Sequence, residues 1–294
     1  MSAHDAFDWQ FYTSFYPDVA DFSERAARMH FFRAGQAEGR VSSPAELERR
    51  VQETHLRITR ECETYEPKGE TQNRIHILIR TCLRPHSFDR CMRSIQSQLH
   101  SNWRVTVAYD HPDSLVYLQP WLDREERCHA IAVNMDRVSR EKYRFNLYNN
   151  VLLDHVHEGF VMFLDDDDCF AHDKCLSILN DHLEDEKKMV LWHFARPDKV
   201  ICPRGAPSIR FGEIDTACAC FHHSLKRYAR WPDRQGGDFA FYSQLMKNTS
   251  PWMQYVYVRK ILTRTQFTDR MASFGHRGEV DEKEEKVEER EDIS

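Results

Sequence analysis

An α/β fold with a mostly parallel sheet flanked by helices, and a small helical appendage at the N-terminus, is the architecture this sequence predicts. Three observations predict it. Short apolar runs alternate with segments of helical periodicity through the middle of the chain, the pattern of βαβ units. The most apolar of these runs, FVMFL at 160–164, leads straight into four aspartates at 165–168. The first 48 residues differ in composition, with many aromatics (FDWQFYTSFYPDV) and their own glycine and proline punctuation.

The elements follow in order. Pro17 and Asp18 suit a helix start, and Gly35 and Gly39 suit helix ends, so 1–48 reads as two or three short helices. A charged helix follows over 44–66, with a linker closing the 49–73 stretch at EPKGETQN. RIHILIR at 74–80 is a β-branched first strand. After the TCLRP loop, apolar positions at 88, 91, 92, 95 and 99 predict a helix over 87–99, with Ser87 as N-cap. NWRVTVAYD at 102–110 is a second strand, HAIAVNM at 129–135 a third, and 140–156 a helix. The run at 160–164 is a strand buried on both faces. Beyond it lie a helix over 173–186, a strand at 189–197, the CPRGAPS loop, a strand at 214–224 and a helix over 239–246. A last strand runs from 252 to 267, and a Gly-flanked loop, FGHRGE, spans 274–279. The large domain thus spans 74–278, and 279–294, nearly all charge, is expected to be a disordered tail or frayed helix.

The totals exclude several classes. The chain has 294 residues, 41% hydrophobic and 30% charged, with a formal net charge of -6, which fits a globular protein and argues against a general nucleic-acid binder. No run is long enough to span a bilayer, and the N-terminus lacks the apolar core of a signal peptide. Nine cysteines without a regular framework fit reduced thiols in a cytoplasmic protein. Cys218 and Cys220, followed by His222 and His223, do not have standard zinc spacing and read as thiols in a core strand.

Four adjacent carboxylates, Asp165, Asp166, Asp167 and Asp168, cannot share the burial of the strand before them, because an unpaired buried carboxylate is neutralised or costs several kcal/mol. The strand therefore ends where something positive sits. Ligands of open α/β sheets collect outside the carboxyl ends of the strands. Hard divalent cations are commonly held there by one or two carboxylates plus substrate phosphates. The residues alone thus predict a metal–phosphate site.

The ordered set I-L-I-R-T-x-x-R-P, the helix SIxxQ, a strand ending Y-D, an Asn-bearing helix and G-F-V-x-F-L-D-D-D-D is similar to family 2 glycosyltransferases of the GT-A (Rossmann-like) fold, over about 74–278. YPDV, H-F and G-x-x-E-G-R near the N-terminus resemble a small helical module seen beside bacterial glycosyltransferases. The resemblance implies a nucleotide-sugar donor held by Arg80, Thr81 and Arg84, with Asp110 beside Tyr109 at the nucleobase. Asn149 or Asn150 matches the family's helix asparagine. Asp165 and Asp167 match its D-x-D acids, around Asp166, and imply Mn²⁺ or Mg²⁺, with His276 as a further ligand and His276 or Arg277 closing over the diphosphate. Asp238, after Gly236 and Gly237, matches the base of inverting enzymes and is preferred here to Asp233. The implied activity is metal-dependent, inverting transfer from a nucleotide-diphosphate sugar, expected to be a UDP-sugar, to a glycan hydroxyl. The alternatives are a sugar-nucleotide nucleotidyltransferase, disfavoured because TCLRP has no phosphate-cradling glycine, and a non-catalytic glycan-binding protein on the same fold.

Overall fold

The computed structural model describes residues 7–68, 73–133, 143–204 and 209–265. His276, Arg277 and the charged tail 279–294 lie outside the described residues.

The chain opens with α1 (Trp9–Phe15), a 3-10 turn Pro17–Val19, α2 (Glu24–His30), a π-helical segment Phe31–Gly35 and α3 (Gln36–Glu38). Their aromatics form a separate core around Tyr12, Tyr16 and Phe31. Gly39 ends α3 at φ +78 as expected, but Gly35 lies inside the π-helical segment and not at a helix end. A Cβ at Gly35 would lie 2.5 Å from Tyr12 Oη, so close aromatic approach demands glycine there. These N-terminal helices contact the rest of the chain. Tyr16 Oη donates to the buried Asp198 carboxylate (3.2 Å) and accepts from the Val41 amide (2.8 Å), while Arg204 Nη1 donates to the Ala37 carbonyl at 2.6 Å.

Helix α4 (Pro44–Glu63) has Ser43 as N-cap, Pro44 in the first turn and Glu46 reaching back to the Ser42 amide. Then come β1 (Ile75–Thr81), α5 (Pro85–Gln96), β2 (Trp103–Tyr109), α6 (Ser114–Arg124), β3 (Cys128–Ala132), a 3-10 turn Arg144–Asn146 and α7 (Leu147–Asp154). These lead to β4 (Phe160–Phe163), β5 (Cys169–Phe170), α8 (Cys175–Asn180), β6 (Lys188–Ala195) and β7 (Ile201–Cys202). A 3-10 turn Thr216–Cys218, β8 (Ala219–His222), a 3-10 segment His223–Tyr228, α9 (Gly237–Thr249) and β9 (Gln254–Arg264) complete the described chain.

The sheet order is β3-β2-β1-β4-β8-β6-β9-β5, with β7 on β6. The first four strands are parallel, as the βαβ alternation predicts; β8 runs antiparallel to both β4 and β6. Along β1, Ile75, Ile77 and Ile79 face a core with α5, α6 and α8, while Leu78 faces the opposite core with α7 and α9. That is why these strands read as continuous apolar runs. Cys220 and Cys218 fall on opposite cores, and all nine cysteines are free thiols.

Several local expectations are corrected. Helix α6 was not anticipated: Pro120 sits inside it, and Leu118 and Trp121 bury its inner face despite the lost backbone donor. Ser87 is not the N-cap of α5; Arg84 holds that position and Pro85 starts the helix. The helix expected over 173–186 contracts to α8, and the strand expected over 214–224 contracts to β8, because Asp215 caps a 3-10 turn first. Among the described residues, no helix is long and apolar enough to cross a membrane.

Candidate active site

The parallel pairing of β1 with β2 and β4 brings three strand ends to one edge. Arg80 and Thr81 end β1, Asp110 follows β2, and the acidic run follows β4. Arg80 meets Asp165 through a two-pronged pair, Nε to Oδ1 at 2.8 Å and Nη2 to Oδ2 at 2.9 Å. Arg84 Nη1 lies 3.0 Å from Asp166 Oδ1 and 3.4 Å from Asp167 Oδ2. Thr81 Oγ1 donates to Asp166 Oδ2 at 2.6 Å. Asp166 and Asp168 are buried, and Asp165 and Asp167 are partly exposed. The sequence expectation that something positive sits at this strand end is met by two arginines of the chain itself.

The loop carrying Arg84 is held by the unanticipated helix α6. Ser114 Oγ accepts from the Leu83 amide (3.2 Å), and Tyr117 Oη bonds Thr81 Oγ1 at 2.8 Å. Leu83 sits at φ +52, a strained conformation that these contacts over-determine.

Two further carboxylates arrive from the second half of the sheet. Because β8 runs antiparallel to β4, the residues before β8 reach the edge that β4 runs towards. This places Asp215 there. Asp238 sits in the first turn of α9, which Tyr242 Oη ties to the Thr216 carbonyl (2.8 Å) and Phe241 packs against Phe163. Asp238 Oδ1 accepts its neighbour's amide, that of Phe239, at 2.7 Å. Gly236 adopts φ +67 to admit the chain, and a Cβ on Gly237 would collide with the Asn146 side chain at 2.6 Å.

Asn146 was passed over in the sequence. Its Oδ1 accepts from Arg80 Nη1 (2.9 Å) and its Nδ2 donates to the Arg234 carbonyl (2.8 Å), so it joins the β1 end to the loop before Asp238. Asn150 bonds both backbone polar groups of Trp231, at 2.9 Å each, and Asn149 is buried. The signal for Asn146 was present as the residue opening α7; Asp215 had no local signal, because only the strand pairing brings it to this edge.

Crowded carboxylates raise one another's proton affinity. Burial pushes Asp166 up to about 7, Arg84 opposing and Asp167 adding to the rise. Burial, with Arg84 opposing, also raises Asp167. Asp215 rises to about 8 through burial and the charges of Asp238 and Asp165. Burial takes Asp238 to about 6, partly offset by its bond to Phe239 and by Arg80. The folded chain therefore holds protons on Asp166 and Asp215 that the unfolded chain releases near 3.8, so these groups make stability fall as pH rises. His76 and His172, pulled down to about 4 by burial, act oppositely, but chiefly below the ordinary imidazole value of 6.5. Without divalent cation, Tm is expected to be lower at about pH 8 than at pH 6.5, and Asp215→Asn to flatten that slope. A Tm that climbs across this window would contradict the raised carboxylates.

The fold is α/β, a mixed, mostly parallel sheet flanked by helices, and solved glycosyltransferases share it. Among solved structures it is similar to TarS of S. aureus, at TM-score 0.51 and 13% identity over 65% of this chain and 36% of that one. The form of TarS spanning 1–349 gives TM-score 0.50 and 14% identity over 65% and 60%. The mannosyltransferase PcManGT from Pyrobaculum calidifontis, solved with GDP-Man and Mn2+, gives TM-score 0.52 and 15% identity over 77% and 67%. The chain thus spans 36% and 60% of the two TarS chains it matches. At these identities the likeness concerns the fold. No family model and no curated protein matches the chain.

Proposed function

We propose that the chain is a metal-dependent, inverting glycosyltransferase of the family 2 kind, moving a sugar from a nucleoside-diphosphate donor, expected to be a UDP-sugar, to a glycan hydroxyl. The observation that carries this reading is the excess of carboxylate at one sheet edge. Asp165, Asp166, Asp167, Asp215 and Asp238 are set against Arg80 and Arg84, and burial, chiefly, with the charges of neighbouring acids raises the proton affinities of Asp166, Asp167, Asp215 and Asp238. Such a cluster binds a cation more readily than it remains fully ionised without one.

The donor set is all oxygen and hard, which fits Mn²⁺ or Mg²⁺. Asp165 and Asp167 are both partly exposed, but both oxygens of Asp165 are engaged by Arg80, whereas the ion-pair contact of Asp167 is its Oδ2 at 3.4 Å from Arg84. Asp167 is therefore the principal candidate ligand, with Asp165 behind it. Among the described residues this stretch brings no three ligand atoms within 4.8 Å, so substrate phosphates would complete the coordination. The ion would supply countercharge for the leaving diphosphate.

The remaining roles belong to the chain. Arg80 orients Asp165 and, through Asn146, the Asp238 loop. Asp110, beside Tyr109, would contact the nucleobase of the donor, and Thr81 and Arg84 hold Asp166 in place. Asp238 takes the acceptor hydroxyl proton as that oxygen attacks the anomeric carbon. The bond to the diphosphate breaks with its electron pair leaving on the phosphate, and the centre inverts.

Calorimetric titration of UDP with Mn²⁺ and again with EDTA tests the reading. Binding is expected to strengthen by about tenfold or more with the ion, one charged contact's worth. Equal affinity in both conditions would remove the metal from the donor site.

A further inference from the structure

The last turn of α4 and the loop after β5 bring together Cys62, His172 and Asp173, which the transfer chemistry does not use. One ligand atom from each lies within 4.8 Å of the others, and each residue is partly buried, so the group is enclosed yet reachable from solvent. Cys62 Sγ donates to Asp173 Oδ1 at 3.5 Å. His172 Nδ1 accepts the Lys174 amide at 3.2 Å, and its Nε2 is buried without a hydrogen-bond partner. A buried ring nitrogen with nothing to bond is costly, and a bound ion or water would satisfy it. Lys174 Nζ spans the same corner, donating to the Cys62 carbonyl (3.0 Å) and the Tyr65 carbonyl (3.2 Å).

We propose that Cys62, His172 and Asp173 bind a zinc ion, with water in the fourth position. Thiolate sulfur, imidazole nitrogen and carboxylate oxygen are zinc's ligand types, whereas the acidic run at 165–168 offers only hard oxygen. The two sites therefore sort different metals. On binding, the Cys62 S–H bond is replaced by a Zn–S bond, the thiol proton now shared with Asp173 leaves to solvent, and no electron is transferred. Ligation through Nε2 moves the ring proton to Nδ1, so the Lys174 amide contact is given up. The ion would join the end of α4 to the β5–α8 loop, a few residues beyond Asp168.

Elemental analysis of the full chain, purified without chelator, equilibrated with zinc and freed of excess, is expected to find about one zinc per chain. Cys62→Ser and His172→Gln should each lose it, while Cys82→Ser, altering the other partly exposed thiol, should retain it. Cobalt substitution of the unaltered chain should give a near-ultraviolet thiolate-to-metal band, absent in Cys62→Ser. Circular dichroism shows whether each variant has folded. No bound zinc in the unaltered chain, or no thiolate band with cobalt, would overturn the proposal. So would zinc that survives Cys62→Ser but is lost in Asp167→Asn, which would assign the ion to the acidic run.

Discussion

Asp238→Asn is expected to lower sugar transfer by about 10²–10⁴-fold, the usual worth of a general base, while donor affinity stays within a few fold. The substitution keeps the size and a hydrogen-bonding oxygen, so the bond from the Phe239 amide can persist and α9 should still start where it does. What it removes is the capacity to take a proton. In the unaltered chain that capacity depends on pH. Burial lifts Asp238 to about 6, so the base form fills as pH rises through that value and the transfer rate should climb with it. The variant should lose this limb of the profile as well as the rate. NMR of the product should show the anomeric configuration opposite to the donor's. Retention of configuration would exclude single displacement and leave Asp238 as a helix-opening residue whose charge suits the helix dipole.

Arg80→Ala should cost about 3–5 kcal/mol of stability, the range for breaking a buried pair from one side. Arg80 makes two bonds to Asp165 and one to Asn146, and its guanidinium lies 4.9 Å from the Phe145 ring centre. Its side chain is 16% exposed, so solvent does little to relieve the carboxylates it would leave behind. Arg80→Lys should recover only part of the loss, because an ammonium cannot make the two parallel bonds. Because the deficit is one of positive charge, Mn²⁺ should raise the Tm of Arg80→Ala more than that of the unaltered chain. Urea denaturation measures the stability loss, and thermal melts with and without the ion measure the second effect; an Arg80→Ala chain as stable as its parent would mean that Asp165 does not depend on this partner.

The sequence by itself determined the strands of the parallel half, the acidic run at their edge and the need for positive charge beside it, which Arg80 and Arg84 supply. These follow from local rules: apolar runs buried on two faces, and a carboxylate cluster that cannot stay uncompensated. It also determined α4, whose Ser43 cap, Pro44 and Glu46 are neighbours in the chain. Tertiary structure decided what local rules cannot encode. Helix α6 forms in spite of Pro120, because Leu118 and Trp121 gain a core to enter. Asp215 reaches the site edge because β8 runs antiparallel to β4, a pairing between residues far apart in the chain. Asn146 bonds to Arg80, whereas Asn150 bonds to Trp231, since the start of α7 faces β1 and its middle faces the loop before α9. Cys62 meets His172 and Asp173 for the same physical reason: side-chain chemistry is written residue by residue, but proximity is set by how strands pair and helices pack.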